Sequence, residues 1–199
     1  GECTMNYARV IGTGTRTIAV DANNDVWVGG LNNRGHEKLD GNTGLPVPGT
    51  QFYSACGGYG GLVDGNGILW SARGGSGLLR YDPVALTSSC RGWSYGDYGI
   101  GIDPSTGEIW HSNLEHNRIA KLSSSGALLG AYGHGNYYAQ GVAVDNIGNV
   151  WVAHSLLGPQ TTVGHIRTDG TFVGNVVLPG GAGPTGVAVD ANGKIWVAC

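Results

Sequence analysis

The sequence predicts an all-β fold built from a repeated unit of about 42 residues. Gly accounts for 38 of the 199 residues, well above the usual ~7%. Hydrophobic residues nevertheless hold at 41%, and charged residues make up only 13%, so the chain is rich in turn formers without losing a core. Six Trp and nine Tyr are spread along it, and Gly follows no three-residue period, which excludes collagen and disorder. We expect one domain over residues 1–199, able to bury roughly 70% of its unfolded surface.

One motif occurs five times, as a short β-branched run, a tight turn and a second run that ends in Trp. Each copy predicts a β-hairpin in which Asp accepts hydrogen bonds from the turn and Trp fills the space between neighbouring units. In the last four copies Gly67, Gly107, Gly148 and Gly193 supply the positive φ that the turn requires. A period of roughly 42 residues is the length of one four-stranded propeller blade, which predicts a β-propeller. The five copies are centred on Asp21–Trp27, Asp64–Trp70, Asp103–Trp110, Asp145–Trp151 and Asp190–Trp196.

The repeat count predicts about five four-stranded blades, with the last blade shared between the N- and C-termini. Roughly one strand is missing from this shared blade, because the residues left for it fall short of a full period. Three arrangements stay open: a compact five-bladed ring with a three-stranded last blade, a fragment of a six- or seven-bladed ring, and a protomer that pairs with another chain. In a closed ring, residues 7–11 would complete the sheet begun by residues 186–199.

Four cysteines, Cys3, Cys56, Cys90 and Cys199, form an even set without a C-x-x-C pair, which favours disulfides over a paired zinc site. We expect Cys56 to pair with Cys90, since both precede the first strands of successive blades. In a closed ring, Cys3 would pair with Cys199. Links between chains through Cys3 and Cys199, or free buried thiols, are the alternatives. Disulfides favour a secreted, periplasmic or cell-surface protein.

Charge and hydropathy exclude two classes of partner. The formal net charge is −3 and no basic run is present, so we expect no nucleic-acid partner. No segment approaches the roughly 18 consecutive apolar residues that cross a bilayer, so we expect no membrane insertion.

The repeat resembles a known family. Gly-Val-Ala-Val-Asp at 141–145, Gly-Asn-Val-Trp-Val-Ala at 148–153 and Asn-Arg-Ile-Ala-Lys at 117–121 are similar to the NHL repeat and to the related repeat of virginiamycin B (streptogramin) lyase. The resemblance covers nearly the whole chain and implies a β-propeller. For a lyase it also implies His and Glu residues that hold magnesium and supply a base. The matching positions after each Trp carry no Glu here, which argues against lyase chemistry.

Propeller geometry places two sets of residues around the central channel. We call the residue five positions before each repeat Asp a rim residue, and the residue three positions after each Trp an exit residue. Both vary between copies while the framework stays constant, which is typical of a site grafted on a repeated scaffold. The rim residues are Arg16, Tyr59, Tyr98, Gln140 and Thr185, and the exit residues are Gly30, Arg73, Asn113, His154 and Cys199.

From these two sets the sequence predicts a ligand site, with no catalytic residue, metal or cofactor. Its aromatic rings, guanidinium groups and amides suit sugar faces and extended peptides. Other aromatics near the same loops, Trp93, Tyr95 and Tyr137–Tyr138, either extend this platform or cap the blades. The predicted site residues are Arg16, Tyr59, Arg73, Tyr98, Asn113, Gln140 and His154.

The other histidines have plainer interpretations. His111, Glu115 and His116 could bind a transition metal, but this stretch is expected to be the polar loop before a third strand. His36, His134 and His165 are expected at the surface.

We therefore expect a non-enzymatic, extracytoplasmic propeller that recognises a glycan, peptide or protein partner through its channel face. Two alternatives stay open. One is a streptogramin-lyase-like or hydrolytic enzyme that uses His154 without the usual His and Glu metal set. The other is a structural building block that assembles through its terminal segments.

Overall fold

The structure is a computed structural model that describes residues 8–73, 77–91, 98–155, 161–181 and 183–199. These residues form four four-stranded antiparallel sheets and one two-stranded sheet, with a single short 3-10 turn at Pro179–Gly181. The predicted all-β propeller architecture is confirmed. None of the described segments forms a helix that is long and apolar enough to cross a membrane.

Each of the first four sheets is one blade, whose strands follow one another from the inside of the propeller outward. Blade 1 contains β1 (Thr15–Val20), β2 (Val26–Gly30), β3 (Gly35–Leu39) and β4 (Phe52–Tyr53), and blade 2 contains β5 (Gly61–Val63), β6 (Leu69–Ser71), β7 (Leu78–Asp82) and β8 (Thr87–Arg91). Blade 3 contains β9 (Ile100–Ile102), β10 (Ile109–Ser112), β11 (Arg118–Leu122) and β12 (Leu128–Gly133), and blade 4 contains β13 (Ala139–Val144), β14 (Asn149–His154), β15 (Thr162–Arg167) and β16 (Phe172–Val177). The innermost strands β1, β5, β9 and β13 contact one another in this order.

The last repeat forms a hairpin of two strands, β17 (Gly186–Val189) and β18 (Ile195–Ala198). The prediction that residues 7–11 complete this sheet is wrong for its described part, residues 8–11. The Ile11 N–H instead donates to Glu37 in blade 1, and Asn33 Nδ2 donates to the Ile11 carbonyl at 2.7 Å. The buried Glu37 carboxylate thus holds residues 8–11 on the first blade. These residues do not add a third strand to the last blade.

The repeat aspartate closes the turn of each hairpin. In blade 2, Asp64 Oδ1 accepts from the N–H groups of Asn66 and Ile68 at 2.9 and 3.1 Å, and Asp64 Oδ2 accepts from Trp70 Nε1 at 2.9 Å. Gly67 takes φ 78°, a left-handed conformation that glycine adopts without strain. The predicted turn chemistry is confirmed, and the same positive φ recurs at Gly107, Gly148 and Gly193, with Asn24 in its place in blade 1.

Tryptophan packs the blades against one another, as predicted. Trp70 is fully buried in one apolar cluster with Ile100, Ile102 and Ile109 of blade 3. Trp110 shares a second cluster with residues of blade 4, and Trp27 a third with residues of blade 2. In blades 1 to 3 the third strand places a cation over the same ring, with Lys38, Arg80 and Lys121 lying 5.6, 5.8 and 5.5 Å from the centroids of Trp27, Trp70 and Trp110.

One disulfide fixes the connection between blades 1 and 2. Cys56 is fully buried in that connection and is bonded to Cys90 on β8, with the two Cα atoms 5.9 Å apart. The predicted Cys56–Cys90 pair is therefore confirmed. Cys199 is an exposed free thiol, and Cys3 lies outside the described residues, so the Cys3–Cys199 pair stays a prediction.

Because tryptophan packs one blade against the next, its truncation should lower the free energy of unfolding by different amounts at buried and exposed positions. Trp70→Ala should lower the free energy of unfolding by roughly 3–5 kcal/mol, because it empties a buried site between two blades. Trp196→Ala should cost less than about 1 kcal/mol, because Trp196 is 63% exposed on the last hairpin. Urea unfolding of dilute protein measures both, and equal losses would contradict this account of blade packing.

Candidate functional site

The rim residues of blades 2 to 4 and of the last hairpin meet in one groove. Its volume is about 320 Å³, and its walls are the residues that lead into or begin successive innermost strands. The sequence rule that counts back from each Asp therefore finds residues that are neighbours in space. The lining residues are Tyr59, Gly60, Tyr98, Gly99, Gln140, Gly141, Thr185 and Gly186.

Glycine follows the rim residues of blades 2 to 4 and of the last hairpin, whereas Thr17 follows Arg16 in blade 1. At Gly99 and Gly141 the innermost strands approach closely. A Cβ on Gly99 would lie 1.8 Å from the Gln140 carbonyl oxygen, and one on Gly141 would lie 2.8 Å from Val187 N. Ser112 links the same two segments. Its hydroxyl donates to the Gln140 carbonyl at 2.7 Å and accepts from the Gly99 N–H at 2.8 Å. Because glycine brings no side chain here, the rim side chains determine the chemistry of the groove.

Arg16, Tyr59 and Tyr98 form a connected polar and aromatic cluster at one end of the groove. Arg16 Nη1 donates to the Tyr59 hydroxyl at 3.1 Å, and the guanidinium carbon lies 5.0 Å from the centroid of the Tyr59 ring. The Tyr59 and Tyr98 hydroxyls are hydrogen-bonded to each other, and their ring centroids are 4.6 Å apart. Burial, together with the hydrogen bond to Tyr59, raises the pKa of Tyr98 to about 12. Tyr98 is therefore a neutral hydrogen-bonding group at pH 7, not a base.

The exit residues do not join this groove. Asn113 is only 8% exposed, and its Oδ1 accepts from the Glu115 N–H at 3.0 Å, so its side chain caps its own loop. Arg73 is partly exposed at the end of β6, and Gly30 is buried. Of the seven predicted site residues, Tyr59, Tyr98 and Gln140 line the groove and Arg16 is bonded to one of its walls, whereas Arg73, Asn113 and His154 lie elsewhere.

His154 is fully buried, which corrects its expected place on the channel face. Its Nε2 is 2.9 Å from His134 Nδ1, and its Nδ1 is 2.8 Å from Thr162 Oγ1. The two imidazole rings stack with centroids 5.0 Å apart. Both ring nitrogens of His154 are thus engaged, one with His134 in the connection from blade 3 to blade 4 and the other with Thr162 of blade 4 itself.

His134 and His36 are also fully buried, so their predicted surface positions are wrong. The repeat gave no signal for His134, since it lies in a connection between blades whose path depends on tertiary packing. His165 is half-buried and stacks on Trp151 with centroids 4.2 Å apart, which places it where the other blades carry a cation. Trp93 and Tyr95 lie outside the described residues, and Tyr137 is 50% exposed.

His111 lies within β10 and is buried, so the expectation that it belongs to a polar loop is wrong. Glu115 and His116 do follow in the connection to β11. Across residues 8–73, 77–91, 98–155, 161–181 and 183–199, no three His, Cys, Asp or Glu side chains form a group that could hold a metal ion.

The arrangement of the blades defines the chain as a β-propeller, and its fold is similar to that of virginiamycin B lyases, which confirms the predicted resemblance at the level of the fold. Streptogramin B lyase is similar at a TM-score of 0.79 and 18% identity, over 96% of this chain and 64% of that chain. Virginiamycin B lyase from Staphylococcus aureus is similar at 0.78 and 16%, over 94% of this chain and 63% of that one. The chain therefore spans less than two thirds of the length of these lyases.

The fold is shared with a second kind of enzyme. A gluconolactonase from Xanthomonas campestris is similar at a TM-score of 0.69 and 16% identity, over 92% of this chain and 68% of that chain. No family model and no curated protein matches the chain. At these identities the likeness shows the fold, and the function must be argued from the site.

The buried histidines predict a loss of stability on mild acidification. Burial lowers the pKa of His36 to about 4, of His154 to about 4 and of His134, also beside His154, to about 3. Below the ordinary pKa of 6.5 the unfolded chain binds protons that the folded chain does not. Stability should therefore fall from pH 6.5 towards pH 4, by at most about 1.4 kcal/mol per pH unit for each such group.

His36→Leu isolates one of these groups. His36 lies two residues before Lys38, the cation over the Trp27 ring. The equivalent residue of blade 2 is Leu78, which is buried. Leucine therefore fits this position. Between pH 7 and pH 5 the unfolding free energy of the variant should fall by about 1.8 kcal/mol less than that of the parent chain, because the unfolded imidazole takes up its proton gradually around pH 6.5. An equal fall in the two chains would show that His36 is not kept neutral by burial.

Proposed function

We propose that the chain is an extracytoplasmic binding propeller that recognises a glycan, or else a peptide or protein segment, through the groove lined by the rim residues. The observation that carries this proposal is the Arg16–Tyr59–Tyr98 cluster at a groove built by four successive innermost strands. A volume of about 320 Å³ is at the lower end of the ~300–1,000 Å³ typical of small-ligand sites.

The chemistry of the groove favours a polar ligand with flat apolar faces. The Tyr59 and Tyr98 rings offer stacking surfaces, and their hydroxyls, with the guanidinium of Arg16, offer hydrogen bonds to hydroxyl or carboxylate groups. Among the described residues, those that line the groove carry no carboxylate and no imidazole, so none of them offers a side chain that commonly acts as a general base. Glycans combine apolar ring faces with many hydroxyls, and we therefore place them first among the ligands.

The extracytoplasmic location is part of the same proposal. The Cys56–Cys90 disulfide is compatible with an oxidising compartment, where such bonds persist. A binding module exposed to extracellular glycans would gain from a bond that fixes the connection leading to Tyr59.

An enzyme is the second candidate, because the similar structures are described as a streptogramin B lyase and a gluconolactonase. His154, the histidine that the sequence suggests for such chemistry, has both ring nitrogens in hydrogen bonds to other residues of the protein. Measured uptake of a divalent metal that disappears in His154→Ala would favour the enzyme. Unaltered metal content in that variant would count against it.

Ligand screening on a glycan array, followed by calorimetry with the best ligand, tests the binding proposal. Tyr59→Ala and Tyr98→Ala should each weaken binding by about tenfold, since a stacked aromatic contact contributes roughly 1 kcal/mol or more. Tyr53→Ala is the matched control, because Tyr53 is 65% exposed on the outer strand β4, and it should bind like the parent chain. Binding that survives both groove variants, or that Tyr53→Ala weakens equally, would overturn the proposed site.

A further inference from the structure

The groove has a positive charge at its edge that the described residues leave unpaired. Arg16 is exposed on β1, and across the described ranges it forms no ion pair. Lys38 and Lys121, by contrast, pair with Asp21 and Glu108 at 2.9 and 2.7 Å. Since the described lining of the groove contains no carboxylate, no residue described there neutralises the guanidinium of Arg16.

Arg16 is nevertheless held against the wall of the groove. Its Nη1 donates to the Tyr59 hydroxyl at 3.1 Å, and its guanidinium carbon lies 5.0 Å from the centroid of the Tyr59 ring. Two contacts that order a side chain before a ligand arrives reduce the entropy lost on binding. The other guanidinium N–H groups have no hydrogen-bond partner in the part of the chain that the structure describes, so they are available to a ligand.

The tyrosine pair adds one more available donor. Two hydroxyl groups carry two protons, and the hydrogen bond between Tyr59 and Tyr98 uses one of them. Tyr98 keeps its proton at pH 7, because burial and the hydrogen bond to Tyr59 raise its pKa to about 12. The cluster of Arg16, Tyr59 and Tyr98 therefore presents a positive charge and an excess of donors. The group that complements it carries a negative charge and oxygens that only accept.

The rest of the groove suits a sugar better than a peptide side chain. Between the two tyrosine rings and the last hairpin, its described lining consists of glycines, Gln140 and Thr185. The rings offer stacking surfaces for a sugar face, and the amide and hydroxyl groups offer hydrogen bonds to sugar hydroxyls. None of these described residues forms an aliphatic pocket of the kind that would receive an apolar peptide side chain.

We propose that the ligand of the groove is an acidic glycan, whose anionic group binds Arg16 and the available phenolic proton of the tyrosine pair. This inference rests on the proposed function, because it names the class of glycan that the same site takes. A uronic acid carboxylate and a sulfate ester supply the same chemistry, and both can accept parallel hydrogen bonds from the planar guanidinium. A neutral sugar hydroxyl would leave the charge of Arg16 uncompensated.

A glycan array tests the proposal first, with uronic acid and sulfated oligosaccharides beside their neutral counterparts and with acidic peptides as further probes. The strongest binders should be acidic glycans. In calorimetry, methyl esterification of the carboxylate or removal of the sulfate should then lower affinity by about tenfold or more, as expected for the loss of a charge-assisted hydrogen bond. The treatment that lowers affinity identifies which of the two anionic groups the site binds.

Arg16→Gln removes the charge and keeps a hydrogen-bonding side chain. It should weaken binding of the acidic glycan by about tenfold and leave the neutral counterpart within about twofold, and unchanged urea unfolding shows that it is folded. Arg167→Gln is the matched control. Arg167 is exposed at the end of β15 that pairs with Asn149, whereas Gln140 lies beside the opposite end of β14. This variant should discriminate between the two glycans like the parent chain.

Two kinds of failure are distinguishable. Equal affinity for the acidic glycan and its neutral counterpart, or discrimination that survives Arg16→Gln, would overturn this inference and leave the proposed glycan site standing. An acidic peptide that binds more tightly than every glycan would also overturn it. If no probe binds, or if Tyr59→Ala and Tyr98→Ala leave binding intact, the proposed function fails and this inference fails with it.

Discussion

The turn that each repeat aspartate closes is the interaction on which the rest of the structure depends, and in blades 2 and 4 and in the last hairpin the same carboxylate also accepts from the tryptophan indole. In blade 2 the Asp64 carboxylate closes the turn with one oxygen and holds Trp70 with the other. In blade 4 burial raises the pKa of Asp145, but hydrogen bonds from Asn149, the Ile147 N–H and Trp151 outweigh burial and lower it. A local turn thereby orients the side chain that packs the next blade, so that local and long-range structure agree.

Packing between blades in turn creates the groove. Once Trp packs one blade against the next, the innermost strands run side by side, and Gly99 and Gly141 allow close approaches between them. The rim positions can then differ between blades, because the tryptophan and the turn hold neighbouring blades together without the rim side chains. Because one set of residues packs the blades and another forms the rim, a repetitive chain can place an Arg, two Tyr and a Gln around one groove.

Sequence reasoning succeeded where the structure is local and repeated. The Asp–Trp spacing predicted the hairpins, the blade interfaces and the neighbouring rim residues, and the position of Cys56 and Cys90 before successive blades predicted their bond. It failed where burial depends on connections that do not repeat. His134 and His154 meet only because the connection after β12 folds back on β14, and Ile11 reaches Glu37 through a non-local contact. Neither contact leaves a periodic signal, so His134 was expected at the surface and His154 in the channel.

A double-mutant cycle on Asp64→Ala and Trp70→Phe tests the central claim most directly, because phenylalanine keeps an aromatic ring and removes only the indole donor. The cycle on Asp103→Ala and Trp110→Phe is the control. That turn is one residue longer, Asp103 bonds to Ser105 and Thr106, and Trp110 Nε1 has no hydrogen-bond partner among the described residues. The account predicts a coupling free energy of about 1.5–3 kcal/mol in blade 2 and below about 0.5 kcal/mol in blade 3. Equal coupling in the two blades would contradict it.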